Sequence, residues 1–379
     1  MELFDVYPLF NVELFKGEGV FVIDKNGQRY LDLYGGHAVI SIGHSHPHYV
    51  AAISSQIERI GFYSNSIQNP FQKELAKKLG EASGLTDYSL FLCNSGAEAN
   101  ENALKLASFK TGKSKVIAFK KAFHGRTSGA VGVTDNSKII APINEKKDVV
   151  FLELNDIQSV EAELQKGDVA AVLIEGIQGI GGIRIPSVEF MKGLRDLCSR
   201  YQAIFIVDEI QSGYGRSGRF FAYQHADIIP DLITVAKGMG NGFPMGGVLI
   251  SPDFEAKSGM LGTTFGGNYL ACAAGIAVLD VIKSQKLVAN AEEIGNFLMS
   301  ELSKIPEIKA VRGMGLMIGV EFEDDVAELR KKLLYDKKIF TGVSGSHIIR
   351  LLPPLNLRKE NVVHFIEKLK ESIAELAKN

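Results

Sequence analysis

"IVDEIQSGYGRSG" (residues 206–218) places two acidic residues at the end of an apolar run and follows them with glycines. Further along, "ITVAKGMGNG" (233–242) places a lysine at the end of another apolar run, again before glycines. Both runs are continuously apolar rather than alternating, which is typical of strands buried on both faces of a parallel sheet. The two stretches therefore predict two strands of an α/β fold, each ending in charged side chains.

Similar apolar runs recur through the middle of the chain, and helical patterns separate them. The strand candidates are "SLFLC" (89–93), "KVIAF" (115–119), "DVVFLEL" (148–154), "VAAVLIE" (169–175), "AIFIVD" (203–208), "DLITVA" (231–236) and "GGVLI" (246–250). The helix candidates span residues 96–110, 187–201 and 268–285. This alternation predicts an α/β architecture built on a mainly parallel, seven-stranded sheet.

The two ends of the chain follow a different pattern. Residues 19–35 are predicted to form a hairpin with its turn at Lys25-Asn26-Gly27. Near the other end, apolar runs at 311–322 and 347–355 flank charged helical stretches such as 326–337. Because 379 residues exceed the ~250–300 at which a single core stops growing, we expect two domains. A large domain spans residues 46–275, and a smaller α+β domain combines residues 1–45 with 276–379.

Composition narrows the class of partner. The formal net charge is −2, and no long basic run is present, so we expect no nucleic-acid partner. No apolar stretch approaches ~18 residues, so no membrane partner is expected either. The start lacks a secretory pattern, and Cys93, Cys198 and Cys272 are widely spaced without a CxxC motif. This pattern indicates a reduced, cytoplasmic location. The histidines of "GHSHPH" (43–48) have no acidic residue nearby in sequence, so we expect no metal.

Chemistry-bearing residues follow several of the predicted strands, and ligands of open α/β sheets bind beyond the carboxyl ends of strands. These residues are 94–98, 123–126, Glu175, 208–211 and Lys237. A helix that begins after "NSGAE" offers free N–H groups to an anion, and a buried lysine can form a Schiff base. Together with a carboxylate and a flat aromatic side chain, this set predicts a pyridoxal phosphate site. There, Asp208 would keep the ring nitrogen protonated and Lys237 would hold the aldehyde.

Seven motifs, in this order, also resemble the class III pyridoxal-phosphate aminotransferases, in the branch of the acetylornithine and succinylornithine aminotransferases. They are "GHSHP", "CNSGAEAN", "AFHGRT", "VDEIQSGYGRSG", "AKGMGNGFPMGG", "TTFGGN" and "IRLLPPL". The resemblance covers nearly the whole chain. It implies a fold-type I pyridoxal-phosphate-dependent transferase and a homodimer whose active site is shared across the interface.

The resemblance implies a role for each matching residue around the cofactor. The catalytic pair is Lys237, which binds the aldehyde and then moves a proton, and Asp208, which pairs with the pyridinium nitrogen. The remaining cofactor contacts that it implies are Ser95, Gly96, Ala97, Phe123, Ile210, Gln211 and, from a second subunit, Thr264.

It also implies the substrate contacts and the reaction. Arg126, with Thr263 beside it, takes the substrate carboxylate distant from the reacting amine, and Arg350 takes the α-carboxylate of glutamate or 2-oxoglutarate. Tyr7 and His37 shape the pocket. The implied reaction moves the ω-amino group of N-acetyl- or N-succinylornithine to 2-oxoglutarate, giving a semialdehyde and glutamate, in arginine biosynthesis. Ornithine, 4-aminobutyrate and N-acyl-diaminopimelate remain open as alternative amino donors.

One motif departs from the family. "EGIQGIGGI" (175–183) places Ile180 where these enzymes usually carry a glutamate, which in relatives can pair with the second arginine. We therefore expect Arg350 to find water, an anion or another acidic residue as its partner while an ω-amino substrate is bound. Two other classes remain as alternatives. A nucleotide-dependent dehydrogenase would lack the yellow colour of bound pyridoxal phosphate. A catalytically silent pyridoxal-binding protein would be yellow but show no spectral change with amines.

Overall fold

The computed structural model describes residues 1–145 and 148–378. Residues 146–147 of the predicted large domain and residue 379 of the predicted small domain lie outside these ranges. In chain order, the strands are β1 (Leu14–Glu18), β2 (Phe21–Asp24), β3 (Arg29–Asp32), β4 (Ser89–Cys93), β5 (Lys115–Phe119), β6 (Val149–Leu152), β7 (Val169–Glu175), β8 (Ile204–Asp208), β9 (Leu232–Val235), β10 (Gly246–Ile250), β11 (Ala310–Met314), β12 (Met317–Glu321), β13 (Ile339–Phe340), β14 (Gly342–Ser344) and β15 (Ile348–Leu351).

Helices cover both faces of the central sheet. The described helices are α1 (Gly35–Ala38), α2 (Pro47–Arg59), α3 (Pro70–Ser83), α4 (Gly96–Thr111), α5 (Ser128–Gly132), α6 (Ile157–Leu164), α7 (Val188–Tyr201), α8 (Tyr269–Ser284), α9 (Leu287–Leu302), α10 (Ala327–Tyr335) and α11 (Lys359–Leu376), with 3-10 turns at Ser137–Ile139, Pro142–Asn144, Ala222–Ala226 and Lys237–Met239. No helix in the described part of the chain is long and apolar enough to cross a membrane.

The central sheet has seven strands within the described ranges, in the order β4-β10-β9-β8-β7-β5-β6. Strand β10 runs antiparallel to both of its neighbours, and the other pairings are parallel. The predicted mainly parallel α/β fold is therefore confirmed. Strands β7, β8 and β9 are buried at every position, because helices cover both faces, and this explains their continuous apolar sequence.

Two further sheets of four strands each occur within the described ranges. The predicted hairpin is present as β2 and β3, and the parallel pairing of β3 with β13 joins it to the far end of the chain. The other small sheet is antiparallel, in the order β11-β12-β15-β14. Helix α8 runs without a break through the predicted domain boundary at 275/276. The division into two domains stays a prediction.

Candidate active site

The carboxyl ends of β7, β8 and β9 bring the predicted catalytic residues together. Glu175 and Asp208 are paired in register as the last residues of β7 and β8, and Asp208 is paired with Thr234 of β9. Lys237 follows β9 at the start of a 3-10 turn, with a φ of 44°. All of these except Thr234 line a cavity of about 640 Å³. The strand ends therefore deliver a lysine and two carboxyls to one cavity.

The cavity also contains most of the other predicted site residues. Those that line it are Tyr7, His37, Gly96, Ala97, Phe123, Arg126, Ile210 and Gln211. Ile180, the departure from the family motif, is another lining residue and is 43 % exposed. Most of the site residues predicted from the sequence therefore line one cavity of a single chain.

Four predicted residues are absent from the lining within the described ranges. Ser95 caps helix α4, where its Oγ accepts from the N–H of Glu98 at 3.2 Å. The Oγ1 of Thr263 accepts from Asn94 Nδ2 at 3.3 Å, which places Thr263 beside the turn before α4. Thr264 is exposed. Arg350 is only 3 % exposed, and its Nη2 lies 3.2 Å from the hydroxyl of Tyr34. Their predicted roles stay predictions.

Asp208 is held by a buried network that sequence reasoning missed. Its Oδ2 accepts from Asn100 Nδ2 and lies 2.8 Å from His124 Nδ1, while its Oδ1 accepts from the N–H of Ile210 at 3.0 Å. Asn100 also accepts from the hydroxyl of Thr234 at 2.8 Å and donates to the carbonyl of His124 at 2.7 Å. Asn100 is the last residue of the motif "CNSGAEAN", and His124 lies in the motif "AFHGRT". Their presence in these two motifs was the only sign in the sequence that they belong to the site.

Burial shapes the electrostatics of the cavity. It lowers the pKa of Lys237, although Asp208 and Glu175 oppose the shift. Burial also raises the pKa of Glu175 to about 7, while the nearby His124 opposes that shift. Glu175 accepts from the N–H groups of Phe123 at 3.1 Å and Gly179 at 3.0 Å. A lysine with a lowered pKa has a larger neutral fraction, and the neutral amine is the form that attacks a carbonyl.

These residues fit pyridoxal phosphate. The N–H groups of Gly96 and Ala97 lie in the first turn of α4, where amides have no partner within the helix and attract a phosphate. Ile210 packs closely against Gly96, because a methyl group at Gly96 would lie 2.8 Å from Ile210 Cδ1. The turn that would bind the phosphate therefore lies directly against the apolar side chain that would cover the ring. Asp208 offers a fixed carboxylate for a protonated ring nitrogen, and Lys237 offers the amine.

The family model for "Aminotransferase class-III" matches residues 6–373. An acetylornithine aminotransferase of Bacillus subtilis is 40% identical over 378 residues, covering 98% of this chain and 97% of that protein. One of Archaeoglobus fulgidus is 40% identical over 368 residues, covering 96% of each.

Solved structures of aminotransferases are also similar to this chain. An ornithine aminotransferase of Toxoplasma gondii superposes with a TM-score of 0.92 at 30% identity, covering 98% of this chain and 92% of that one. An acetylornithine aminotransferase of Elizabethkingia anophelis gives 0.85 at 31% identity, covering 97% and 95%. The chain belongs to the class III aminotransferases.

Proposed function

We propose that this enzyme moves the ω-amino group of an Nα-acylated ornithine, N-acetyl- or N-succinylornithine, to 2-oxoglutarate, in arginine biosynthesis. The observation that carries the proposal is the 40% identity to acetylornithine aminotransferases over almost the full length of both chains. The positions of Lys237 and Arg126 support it. Lys237 and Arg126 line one cavity, so an amine and a distant carboxylate of one substrate have partners there.

The enzyme is pyridoxal-phosphate-dependent, and the cofactor, when bound, supplies the electron sink for moving an amino group. Within the chain, Asp208 would hold a proton on the ring nitrogen, because Asn100, His124 and the Ile210 amide keep its carboxylate in place. The amine of Lys237 would move the substrate proton, which its lowered pKa favours. Phe123 and Ile210 would enclose the ring and exclude water.

Two arginines would divide the carboxylates between the half-reactions. Arg126, exposed at the cavity, would bind the distal carboxylate of either substrate. Arg350, deeply buried, would bind the α-carboxylate of glutamate or 2-oxoglutarate. An acyl group on the donor has a chemical reason, because it stops the semialdehyde product from cyclising onto a free α-amine.

We also propose a homodimer in which Thr264 reaches the phosphate of the second subunit. An exposed aromatic pair supports this assignment: the rings of Phe62 and Phe265 lie 5.2 Å apart, with exposed fractions of 43 % and 58 %. Phe265 directly follows Thr264 in the chain. Exposed aromatic clusters of this kind are typical of protein interfaces. A cytoplasmic location is likewise proposed, and the three buried, unpaired cysteines support it.

The test is glutamate formation from 2-oxoglutarate with N-acetylornithine, N-succinylornithine, ornithine, 4-aminobutyrate and an N-acyl-diaminopimelate supplied in parallel. The expected result is a kcat/KM for one acylated ornithine at least ~10-fold above that for ornithine. A preference for free ornithine, 4-aminobutyrate or N-acyl-diaminopimelate would overturn the substrate assignment.

A further inference from the structure

Helix α1 is a single turn of unusual hand. Gly35, Gly36, His37 and Ala38 have φ values of 55°, 53°, 68° and 63°, so four consecutive residues lie in the left-handed region. The glycines adopt it freely, whereas the two residues with a Cβ atom do so at a cost of roughly 1–2 kcal/mol each. Strain of this kind persists only where surrounding contacts impose it, and it clusters at functional sites.

Hydrogen bonds fix the turn at both ends. The Oδ1 of Asp32 accepts from the N–H groups of Tyr34 at 3.0 Å and Gly35 at 2.8 Å. At the other end, Gln211 donates its Nε2–H to the carbonyl of His37 at 3.1 Å. Because Gln211 lines the active-site cavity, the strained turn is tied directly to the site.

The turn places Tyr34 between His37 and Arg350. Arg350 Nη2 lies 3.2 Å from the Tyr34 hydroxyl, which lies 2.5 Å from His37 Nδ1. A guanidinium can only donate, so the tyrosine oxygen accepts from Arg350, and we assign the tyrosine hydrogen to the contact with His37. His37 Nδ1 is therefore an acceptor, and the ring is neutral with its hydrogen on Nε2. The lowered pKa of His37, due to burial and then to Arg350 and Lys237, agrees with a neutral ring.

Tight packing holds the tyrosine ring in place. A methyl group at Gly342, the first residue of β14, would overlap the ring of Tyr34. Next to it, Arg350 Nε donates to the carbonyl of Val343 at 2.9 Å. Two atoms of the guanidinium are thus oriented by uncharged oxygens. Its third nitrogen, Nη1, is buried and has no protein partner within the described ranges.

We propose that Tyr34 and His37 are positioning residues that hold Arg350 for the α-carboxylate of the glutamate and 2-oxoglutarate half-reaction, in place of an acidic partner. The inference rests on the proposed function and names the residues that prepare one of its two arginines. Because the relay is uncharged, it does not neutralise the positive charge of Arg350, and the hydrogens of the buried Nη1 are not used by any described protein group. The acylated donor, held by Arg126, depends on the relay much less.

The test compares Tyr34→Phe with the wild-type holoenzyme in the two half-reactions, each measured in a single turnover. Tyr34→Phe keeps the ring against Gly342 and removes only the relay oxygen. We expect the apparent dissociation constant for glutamate to rise about tenfold, the usual effect of losing a hydrogen bond to a charged group. The maximal rate of that half-reaction and the constants for the acylated ornithine should each change less than about threefold.

A binding measurement separates positioning from turnover. Glutarate, a dicarboxylate that cannot react, should bind Tyr34→Phe about tenfold more weakly than wild type by calorimetry. His37→Ala removes the acceptor at Nδ1 and should weaken glutarate binding. His37→Asn keeps an acceptor near Nδ1 and tolerates the left-handed region, so it should lose less affinity than His37→Ala. Tyr201→Phe is the matched control, since its hydroxyl contacts Glu161 on the outer helices, 3.3 Å away. It should behave as wild type in every assay.

Two results would overturn the proposal: unchanged glutarate affinity in Tyr34→Phe, or equal losses in both half-reactions. Gly342→Ala gives a second route, because it displaces the ring without touching the hydroxyl, and it should weaken glutarate binding as Tyr34→Phe does. Failure of the proposed function would look different. Wild type would then react with glutamate and bind glutarate but turn over neither acylated ornithine.

Discussion

His124 Nδ1 lies 2.8 Å from Asp208 Oδ2, and both side chains are almost fully buried. His124 Nε2 is buried without a protein partner among the described residues. Asp208 is thus the end of a network rather than an isolated carboxylate. The geometry predicts that Asp208 acts as a fixed charge whose position depends on its neighbours.

Asp208→Asn should keep the fold and weaken cofactor retention. An amide is close to a carboxylate in shape but offers no charge to a protonated ring nitrogen, and losing a charged hydrogen bond corresponds to roughly a 10–100-fold loss of affinity. The measurement is the yellow absorbance that remains after dialysis, together with kcat. Asp231→Asn is the matched control, because Asp231 precedes β9 at the end opposite the site and forms an ion pair with Arg195 at 2.9 Å. A fully yellow, fully active Asp208→Asn protein would contradict the assignment.

Lys237→Ala should fold and lose turnover by at least ~10²–10⁴-fold, the usual contribution of a positioned proton-transfer group. Removing a lysine whose pKa is lowered by burial also removes the cost of burying it, so the thermal midpoint of the apoprotein should not fall. Single-turnover absorbance changes with glutamate report the chemistry, and thermal unfolding reports the fold. Transamination at a comparable rate would rule out Lys237 as the catalytic amine.

Glu209→Gln should alter how stability depends on pH. Burial raises the pKa of Glu209 from 4.5 to about 7, so between these values the folded state holds a proton that the unfolded state has released. The contribution of this group to the free energy of unfolding is therefore full below pH 4.5 and is lost as the pH rises through 7. The loss is on the order of 3 kcal/mol.

Urea unfolding between pH 4.5 and 8 measures this effect. The free energy of unfolding of wild type should fall relative to that of Glu209→Gln as the pH rises from 4.5 through 7, because only wild type has a carboxyl group that must ionise there. Glu163→Gln is the contrasting control. Hydrogen bonding by Lys166 lowers the pKa of Glu163 despite some desolvation, so its contribution is present above pH 4.5 and is lost only as the pH falls. A constant difference for Glu209→Gln across the window would refute a protonated Glu209.

Ile180→Glu should weaken 2-oxoglutarate binding. Ile180 lines the active-site cavity, and a carboxylate there would repel a dianion and compete for the cations that bind it. A loss of about tenfold, or about 1.4 kcal/mol, is expected for one such charge in a partly solvated cavity. Ile180→Gln, of equal size but uncharged, separates charge from shape. If the two variants raise the KM for 2-oxoglutarate equally, charge is not the cause.

Much of the sheet could be predicted because local composition determines it. Strands β4, β5, β7 and β10 begin and end at the predicted residues, since each is an apolar run bounded by polar, charged or glycine residues. The edge strand β6 is shorter than its apolar run, covering 149–152 instead of 148–154. An edge strand has one neighbouring strand, here β5, and its length depends on how far that pairing extends. The sequence of β6 does not indicate where the pairing stops.

The support around the site was less predictable because it depends on packing between distant segments. Tyr34 and Arg350 are 316 positions apart, and nothing local to either residue indicates the other. The left-handed turn at 35–38 is also hidden, since histidine and alanine ordinarily avoid positive φ; the Gly35-Gly36 pair is its only local signal. Asn100 and His124 were visible within their motifs, but their contact with Asp208 depends on how α4 packs against the sheet.

The parallel pairing of β3 with β13 has a consequence for how the chain folds. Leu31 of β3 is paired with Ile339 of β13, so the N-terminal hairpin has to wait for nearly the whole chain to be synthesised before it can be completed. Pairings of such long range are slow to form and leave strand edges open in the meantime. During synthesis, the edge of β3 that pairs with β13 therefore stays open until residues 339–340 have been made.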